Sequence, residues 1–540
     1  MKNKVLGIFI CVLFIATVIP VAATTNQQTY DYTRPFFDRT TVSTPLSEKI
    51  GQPVSSLLSM VEDFDPLDDH INVTVTITEI RALKTIDKIT DPDFYVKITI
   101  NNQVFTSNVW KNTKYLEDLN WSVSCEVPKN EELVNITIAL YDKDIGVDLL
   151  CDISPDVGSF QQRRTAELVY SIAAGIWWGD DNGWIDPSGI GRLSGIDDNS
   201  CYEKDRDCEL WFNITQTDFD QDGLPYWLET NIYNTDPTVD NRGDDSDEDE
   251  VPIEWEHIFG LWYQEWREEY QMIWDPFTWE DHANIDYEQD GLTNIEEYKT
   301  WQWGSDPWQL DIFLEIDQME KGPNGEGNTT IPLETFDIIR DAYARHNMVW
   351  HVDDGRLGGG EMIPYQEIIT DGYLSQSYWR YFMHEDAQNW RRGVFRWCIV
   401  SYNYSWAKGF VFLSKIGGSY AVDCIFLSKK YIEKRVKQFF FIDACLRGTF
   451  NMELNRACVY VGSIMHETGH TLAINAPGCD APGSEWPWQR NFWIYAPYKS
   501  VMNYRYIYNG INDYSDGSRG KNDYNDWAEM DLTYFNPFSN

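Results

Sequence analysis

The stretch Met465-His466-Glu467-Thr468-Gly469-His470 constrains the fold of this chain more than any other. It fits the pattern H-E-x-x-H, and on a helix two histidines with this spacing lie on one face. Both imidazoles can then bind one zinc ion, while Glu467 takes a proton from the water that zinc activates. The spacing therefore predicts a helical zinc site with His466 and His470 as ligands and Glu467 as the general base of a hydrolase.

The surrounding sequence predicts the domain that carries this helix. Before and after the motif, Val459, Val461, Ile464 and Leu472 recur at helical spacing and should face a core. Further upstream, one helix-like run and four strand-like runs occur, namely Leu333 to His346, Leu310 to Ile316, Met348 to Val352, Val394 to Tyr402, and Lys408 to Leu413. Strands mixed with a few helices predict an α+β domain across residues 308–540.

A second motif lies downstream and indicates a family. Ser500-Val501-Met502-Asn503-Tyr504 resembles the Met-turn of metzincin zinc proteases of the astacin and serralysin type. The resemblance implies that Met502 packs beneath the zinc site and that Tyr504 lies near the metal, where its hydroxyl can donate to an oxyanion. A core methionine beside a packed tyrosine is the alternative interpretation of the same residues.

The metzincin pattern is incomplete in one respect. In that family a glycine follows the second histidine by three residues and a third zinc ligand follows it by six, but this chain has Ala473 and Ala476 there. Alanine cannot bind zinc, and no histidine follows His470 in the sequence. The third ligand must therefore come from elsewhere.

Three residues are candidates for this third ligand. Asp480 is preferred, because Gly478 permits a turn nearby and carboxylates commonly complete zinc sites. Cys479 and Glu485 are the alternatives, and the acids of residues 513–517 and 522–526 could also contribute or bind a further calcium. A thiolate would bind zinc well but would leave the metal less electrophilic.

An acidic loop pattern occurs three times between Asp218 and Glu297, as an internal repeat. The EF-hand loop binds calcium through side chains at positions 1, 3 and 5, a carbonyl at 7 and a glutamate at 12, with glycine at 6. In the second loop Glu250 replaces that glycine, so the match is weaker. The predicted calcium ligands are Asp218, Asp220, Asp222, Leu224 and Glu229 in loop one; Asp245, Asp247, Asp249 and Glu256 in loop two; and Asp286, Glu288, Asp290, Leu292 and Glu297 in loop three.

The first and third loops run on into Asn234-Thr235-Asp236-Pro237 and Gly304-Ser305-Asp306-Pro307. In this they look like the calcium repeats that serve as spacers in exported microbial proteins. The resemblance implies a calcium-stiffened segment across residues 216–307, and an acidic solvated linker is the alternative.

A β-sandwich is predicted upstream of the loops. Residues 71–78 alternate apolar and polar, which is typical of a half-buried strand, and residues 94–100 and 134–141 are also rich in β-formers. Turn residues separate these runs, so we expect an antiparallel sandwich across residues 66–215, with an insertion and a last strand near Glu209 to Thr215.

This region resembles the C2 domain family, the calcium-binding sandwiches of synaptotagmin and protein kinase C. Four features carry the resemblance: Asp87-x5-Asp93-Phe-Tyr-Val, Trp110-Lys-Asn-Thr, Leu119-Asn120-Trp121 and Tyr141-Asp-Lys-Asp. The resemblance implies that two loops converge at one tip and that Asp87, Asp93, Asp142 and Asp144 bind calcium there. The spacing after Asp144 departs from the family pattern, which leaves Asp148 a doubtful ligand.

The first residues predict export. Lys2 and Lys4 precede an apolar run, and small residues at 21–23 offer a cleavage site, so residues 1–23 are predicted to be a signal peptide. An uncleaved membrane anchor is the alternative. Residues 24–65 are polar and contain three prolines, which predicts a linker or a short pro-segment.

Cysteine usage fits an exported protein with disulfides, although connectivity cannot be deduced from sequence. Sequential pairing keeps each bridge within one region and leaves Cys479 single. The simplest scheme joins Cys125 to Cys151, Cys201 to Cys208, Cys398 to Cys424 and Cys445 to Cys458.

Composition excludes one broad class of function. At 540 residues the chain is long enough for several domains, and its formal charge of −43 would repel nucleic-acid phosphates. The sequence therefore predicts a secreted, monomeric, zinc-dependent endopeptidase that acts on protein or peptide substrates, is stiffened by calcium, and docks to a cell surface or envelope through its C2-like region. A non-catalytic, calcium-dependent adhesion or scaffold protein is one alternative, and hydrolysis of a non-protein amide or ester is another.

Overall fold

The structure is a computed structural model that describes residues 44–45, 58, 60–83, 86, 90–155, 163–181, 190–196, 206–264, 269–327, 330–404, 408–448, 450–508 and 511–539. The predicted signal peptide, most of the predicted linker and Asp87 lie outside these ranges. No helix within them is both long and apolar enough to cross a membrane.

Two antiparallel sheets form a sandwich in the first third of the chain. One sheet has the order β10-β9-β7-β3-β4 with β8 beside β7, and the other has the order β11-β12-β2-β5 with β6 also on β2. The strands to this point are β1 (Thr44–Pro45), β2 (Ile71–Ala82), β3 (Phe94–Ile100), β4 (Gln103–Thr106), β5 (Tyr115–Leu116), β6 (Trp121–Val127), β7 (Leu133–Asp142), β8 (Leu149–Leu150), β9 (Ala166–Ser171), β10 (Trp177–Gly179), β11 (Arg192–Ser194) and β12 (Cys208–Gln216).

The alternation of β2 produces the sandwich core, as predicted. Ile71, Val73, Val75 and Ile77 are fully buried, while the residues between them are half-buried. The expected last strand is confirmed as β12, which pairs antiparallel with β2.

The calcium-loop segment forms short helices around an aromatic cluster. Helices α1 (Tyr226–Leu228), α2 (Ile253–Gly260) and α3 (Asn294–Thr300) each follow one loop. Strands β13 (Leu261–Gln264) and β14 (Glu269–Met272) form a three-stranded sheet with β1, so part of the predicted linker is a paired strand. Trp255 stacks on Trp274, and Trp274 stacks on Trp308.

A seven-stranded sheet dominates the rest of the chain, in the order β16-β15-β18-β20-β19, with β17 beside β15 and β21 beside β20. The four strands from β16 to β20 are parallel, and the edge strand β19 is antiparallel. The strands are β15 (Leu310–Met319), β16 (Met348–Asp353), β17 (Met362–Ile363), β18 (Phe395–Ser401), β19 (Gly409–Ile416), β20 (Ser419–Ser428) and β21 (Phe538–Ser539).

Helices cover this sheet. They are α4 (Glu334–Ala344), α5 (Asp371–Ser377), α6 (Lys429–Arg447), α7 (Met452–Thr471), α8 (Arg490–Ile494) and α9 (Asp526–Glu529). The apolar residues Ile312, Leu314 and Ile316 of β15 share one core with Ile464 and Met465 of α7. The four strands and two helices predicted in this region are confirmed, and α7 carries the H-E-x-x-H motif.

Three predicted disulfides are wrong, because Cys125, Cys151, Cys398, Cys424, Cys445 and Cys458 are all free thiols. Cys398 and Cys424 illustrate why. They lie on neighbouring strands, but Trp397 is the residue paired with Cys424, so the two sulfurs point to opposite faces of the sheet. Cys201 lies outside the described residues, and the Cys208 thiol makes a hydrogen-bond contact with that of Cys151.

Candidate metal centres

Helix α7 places both motif histidines on one face. Asn451 caps its first turn by accepting hydrogen bonds from the Glu453 and Leu454 N–H groups at 3.0 and 3.4 Å. The ring centroids of His466 and His470 are 5.0 Å apart. The predicted juxtaposition of the two imidazoles is therefore present in the structure.

The helix ends in a turn that brings the chain back to these histidines. Ala473, which stands where the metzincin pattern has glycine, adopts a left-handed backbone with φ of 60°. The N–H of Ile474 donates to the Gly469 carbonyl at 3.0 Å, which closes the helix. Alanine therefore makes this turn at some conformational cost, because a Cβ disfavours left-handed backbone.

Asp480 lies between the two histidines. Its Oδ1 is 3.1 Å from His466 Nε2, and its Oδ2 is 3.1 Å from His470 Nε2. One ligand atom from each of the three residues lies within 4.8 Å of the others. Two imidazole nitrogens and one carboxylate form a donor set that suits a catalytic zinc with an open fourth position.

The hydrogen bonds around His466 support this arrangement. Its Nδ1 lies 2.9 Å from the Val501 carbonyl oxygen, so Nδ1–H donates, and a metal would displace the Nε2 proton that hydrogen-bonds to Asp480. Burial raises the pKa of Asp480, but the hydrogen bonds from His466 and His470 outweigh it and hold that pKa well below its usual range. Asp480 is therefore an anion, as a zinc ligand must be.

The other two candidates for the third ligand lie in different surroundings. Burial, with the charge of Asp480, raises the pKa of the Cys479 thiol, which also lies 3.9 Å from the Ile474 carbonyl. Glu485 is 44% exposed and pairs with Lys408 at 3.9 Å. Of the three candidates, Asp480 is the one whose carboxylate contacts both histidines.

Glu467 lies beside the edge strand of the sheet. It is 7% exposed, and a Cβ added to Gly409 would meet its Oε1. Burial raises the pKa of Glu467, while His466 and His470 lower it in part. A carboxylate with a raised pKa between the histidines and β19 is suited to accept a proton and return it.

Met502 and Tyr504, from the predicted Met-turn, also lie beside the two histidines. Met502 is fully buried, and a Cβ on Gly469 would lie 2.5 Å from its sulfur. The Tyr504 ring stacks on His466 with centroids 5.7 Å apart, and its hydroxyl hydrogen-bonds to Asp480. Burial and this hydrogen bond raise the pKa of Tyr504, so its hydroxyl remains a donor.

The three acidic loops share one backbone conformation. Position 6 has a left-handed φ in each, at Gly223 (93°), Gly291 (98°) and also Glu250 (76°). The N–H at this position donates to the first aspartate of the loop at 2.9 to 3.1 Å. Glu250 therefore adopts the left-handed backbone that usually requires glycine, at some cost in strain, and the second loop closes as the other two do.

The carboxylates of each loop converge. In every loop the oxygens of positions 1, 3 and 5 lie within 4.8 Å of one another. The position-12 residues Glu229, Glu256 and Glu297 are at most 1% exposed, and each has one buried oxygen without a hydrogen-bond partner among the described residues. Burial raises the pKa of Glu229 to about 8 and that of Glu256 to about 10, with neighbouring carboxylates adding to both. These oxygen sets fit calcium, which would neutralise them.

The structure adds three residues that the sequence pattern did not reveal. Asn241, Glu280 and Asp311 lie well downstream of loops one, two and three, and the N–H of each donates to the position-5 aspartate at 2.7 to 3.2 Å. Asn241 Oδ1 and Glu280 Oε2 are buried without partners among the described residues. These residues follow the loops at different distances along the chain, so no sequence spacing predicts them. They are recognised because the same contact occurs in all three loops.

Asp311 also links the third loop to the large sheet. It belongs to β15, and its carboxylate raises the pKa of Glu297, which burial already raises. Its Oδ1 lies 2.6 Å from His351 Nε2 on β16. The third loop is therefore hydrogen-bonded directly to β15 of the large sheet.

At the tip of the sandwich, the structure brings together part of the predicted set. The Asp93 N–H donates to Asp142 Oδ1 at 2.8 Å, and Asp144 lies two residues beyond Asp142 and is half-buried. Asp148 accepts hydrogen bonds from Tyr95 and Lys143, which accounts for its doubtful place in the pattern. Asp87 lies outside the described residues.

Comparison with known proteins identifies this sandwich. The family model described as the C2 domain matches residues 72–172. These residues form a C2 domain. The match to human GIVD cytosolic phospholipase A2 in complex with methyl gamma-linolenyl fluorophosphonate has 15% identity and a TM-score of 0.17, and covers 27% of this chain and 17% of that chain.

Two other solved structures are similar to part of this chain. One, described as the structure of a C2 domain, has 15% identity and a TM-score of 0.17, covering 27% of this chain and 99% of that one. The calcium-bound pair of C2 domains of extended synaptotagmin 2 has 18% identity and a TM-score of 0.15, covering 20% of this chain and 36% of that one. No curated protein matches the chain.

Proposed function

We propose that this chain is a secreted zinc-dependent endopeptidase that calcium stabilises. The observation that carries the proposal is the contact of both oxygens of Asp480 with the Nε2 atoms of His466 and His470, at 3.1 Å each. Three ligands of this kind leave one position open for water and substrate. The predicted signal peptide supports export.

Each residue of the centre has a role in this proposal. His466, His470 and Asp480 would hold the zinc, which would supply Lewis acidity and an activated water. Glu467 would accept a proton from the attacking water and pass it to the leaving amine. Tyr504 donates its hydroxyl hydrogen to the oxyanion of the tetrahedral intermediate, because its raised pKa keeps it protonated.

Calcium has a structural role in the proposal. Residues of the three loops supply converging oxygens, and the contact of Asp311 with Asp290 joins the third loop to the large sheet. An exported protein in plentiful calcium keeps such sites filled. The loops then act as stiffeners between the sandwich and the zinc centre.

We infer that the C2 domain docks the enzyme to a cell surface or envelope. Ile145 and Val147, which flank the predicted calcium loop at the tip, are highly exposed apolar side chains. Apolar residues beside a calcium-binding acid suit a surface that supplies both anionic groups and an apolar layer. Calcium-dependent sedimentation with anionic vesicles, weakened in Ile145→Ser, tests this docking.

The Glu467→Gln variant tests the proposed function. We expect it to keep one zinc per chain and the parent melting temperature while casein cleavage falls by about 10²- to 10⁴-fold. Glu485→Gln is the matched control, because Glu485 is exposed and its ion pair with Lys408 spans 3.9 Å. Unchanged cleavage by Glu467→Gln would contradict the mechanism. A parent protein that binds calcium but neither binds zinc nor cleaves casein would favour the scaffold alternative.

A further inference from the structure

A second group of carboxylates is buried on the opposite face of the large sheet. Glu315 and Asp317 lie two apart on β15 and share the face of Phe313, whereas Leu314 and Ile316 face α7. Both carboxylates are fully buried. We call Glu315, Asp317, Asp353 and Glu361 the Glu315 cluster.

One guanidinium partly neutralises this cluster. Arg391 Nε donates to Glu315 Oε2 at 2.7 Å, and Arg391 Nη2 donates to Asp353 Oδ2 at 2.6 Å. Asp353 is further satisfied by the backbone N–H groups of Gly355, Leu357 and Gly359 at 2.7 to 3.1 Å. Arg391 therefore shares its single positive charge between Glu315 and Asp353.

The cluster has four carboxylates but one guanidinium, so it carries an excess of negative charge. The Glu361 N–H donates to Asp317 Oδ1 at 2.6 Å, which brings the side chain of Glu361 beside Asp317. A second basic group, His384 Nδ1, lies 3.7 Å from Glu361 Oε1. Burial raises the pKa of Asp317 to about 8 and raises that of Glu315, and the cluster's own charges add to both.

Two carboxylate oxygens of this cluster are buried and make no hydrogen bond to any described residue. They are Glu315 Oε1 and Glu361 Oε2. An unpaired carboxylate oxygen in a fully buried side chain destabilises the folded state unless something binds it. Glu361 is 35% exposed, so an ion can reach the group from its side.

We propose that Glu315, Asp317 and Glu361 bind a calcium ion on the face of the sheet opposite the zinc centre. The donors are all carboxylate oxygens, which suit a hard divalent cation rather than zinc. The ion neutralises the excess charge and fixes the loop before β17 against β15. This site does not depend on the acidic loops or on the proposed protease activity, since it shares no residue with either.

Native mass spectrometry of the full-length chain, dialysed against calcium, tests the proposal. We expect Glu315→Gln to carry one calcium fewer per chain than the parent and to keep its zinc. Glu320→Gln is the matched control, since Glu320 is exposed just beyond the end of β15. Because Glu315→Gln can impair folding, the partly exposed Glu361→Gln is the second variant, with the same expected loss of one calcium.

The calcium count also separates this proposal from the others. If the loops bound no calcium, the parent count would fall, but the difference of one between parent and cluster variants would remain. An equal count in the parent, Glu315→Gln and Glu361→Gln would overturn the proposal, and would mean that shared protons neutralise the cluster.

Discussion

Gly469 and Met502 approach each other so closely that a Cβ atom on Gly469 would lie 2.5 Å from the methionine sulfur. Gly469 directly precedes His470 on α7, and Met502 follows Val501, whose carbonyl accepts the hydrogen bond of His466. The glycine thus allows the segment that carries Met502 to press against the face of α7 that carries His466 and His470. The orientation of both histidines depends on this contact.

Gly469→Ala should therefore weaken the zinc centre without changing a ligand. The added methyl group must displace Met502 or tilt α7, and overpacking of this kind costs about 1–3 kcal/mol. We expect zinc affinity to fall by about 10- to 100-fold, as for other residues that orient ligands. Competition with a fluorescent zinc chelator measures it. Gly372→Ala is the control, because a Cβ there meets nothing closer than 4.0 Å; equal zinc affinity in both variants would contradict the prediction.

The third zinc ligand is the subject of the next prediction. Asp480→Ala should lose zinc and casein cleavage together, because it removes the carboxylate that contacts both histidines. Cys479→Ala should retain both, since burial keeps that thiol protonated. Zinc content measured by atomic emission, with cleavage rates on the same samples, checks both variants. The reverse result would assign the ligand to Cys479.

The sequence predicted those parts of the zinc centre whose geometry is local. The spacing of His466 and His470 determines their contact because a helix repeats regularly. The position of Asp480 depends on non-local structure, because the chain approaches the histidines through left-handed backbone at Ala473 and at Asp480 itself. Alanine gives no signal of such a turn, and aspartate, although enriched in this conformation, adopts it at only a minority of positions. Sequence reasoning could name Asp480 as a candidate but could not place it.

The same limit applies to the calcium loops and the sheet. Twelve-residue loops are contiguous, so their ligands follow from spacing, whereas Asp311 reaches its loop only because β15 starts there. The Glu315 cluster is still harder to predict from sequence, since it joins β15 to the end of β16 and to the loop beyond it. The predicted disulfide between Cys398 and Cys424 was wrong for a related reason: the two residues lie on neighbouring strands, but their side chains point to opposite faces of the sheet.

The third loop should contribute to the stability of the large sheet. Saturating calcium at about 100 times the dissociation constant of a site adds about 2.7 kcal/mol to the free energy of unfolding. Glu297→Gln should reduce the calcium-induced rise in melting temperature, because Glu297 is fully buried beside Asp311. Glu250→Gln is the control, since that side chain is exposed. Calorimetry with calcium and with chelator measures the rise; the same rise in both variants would exclude a ligand role for Glu297.

A final prediction concerns Asp526, which holds the Met-turn in place. Its carboxylate accepts hydrogen bonds from Tyr498 at 2.6 Å and Ser500 at 2.5 Å, and burial, partly offset by these bonds, raises its pKa to about 6. A pKa above the unfolded value means that the folded state binds the proton more tightly. This contribution is fully present below pH about 3.8 and is lost as pH rises through about 6.

Asp526→Asn should therefore flatten the dependence of stability on pH. Between pH 4 and 7 the parent should lose up to about 3 kcal/mol of unfolding free energy that the variant does not lose, since one pKa unit corresponds to about 1.4 kcal/mol. Urea denaturation across this range, with calcium and zinc held constant, gives the difference between the two slopes. The comparison of slopes is unaffected by any uniform destabilisation from the lost acceptor. Parallel curves would mean that Asp526 is ionised throughout this range in the folded protein.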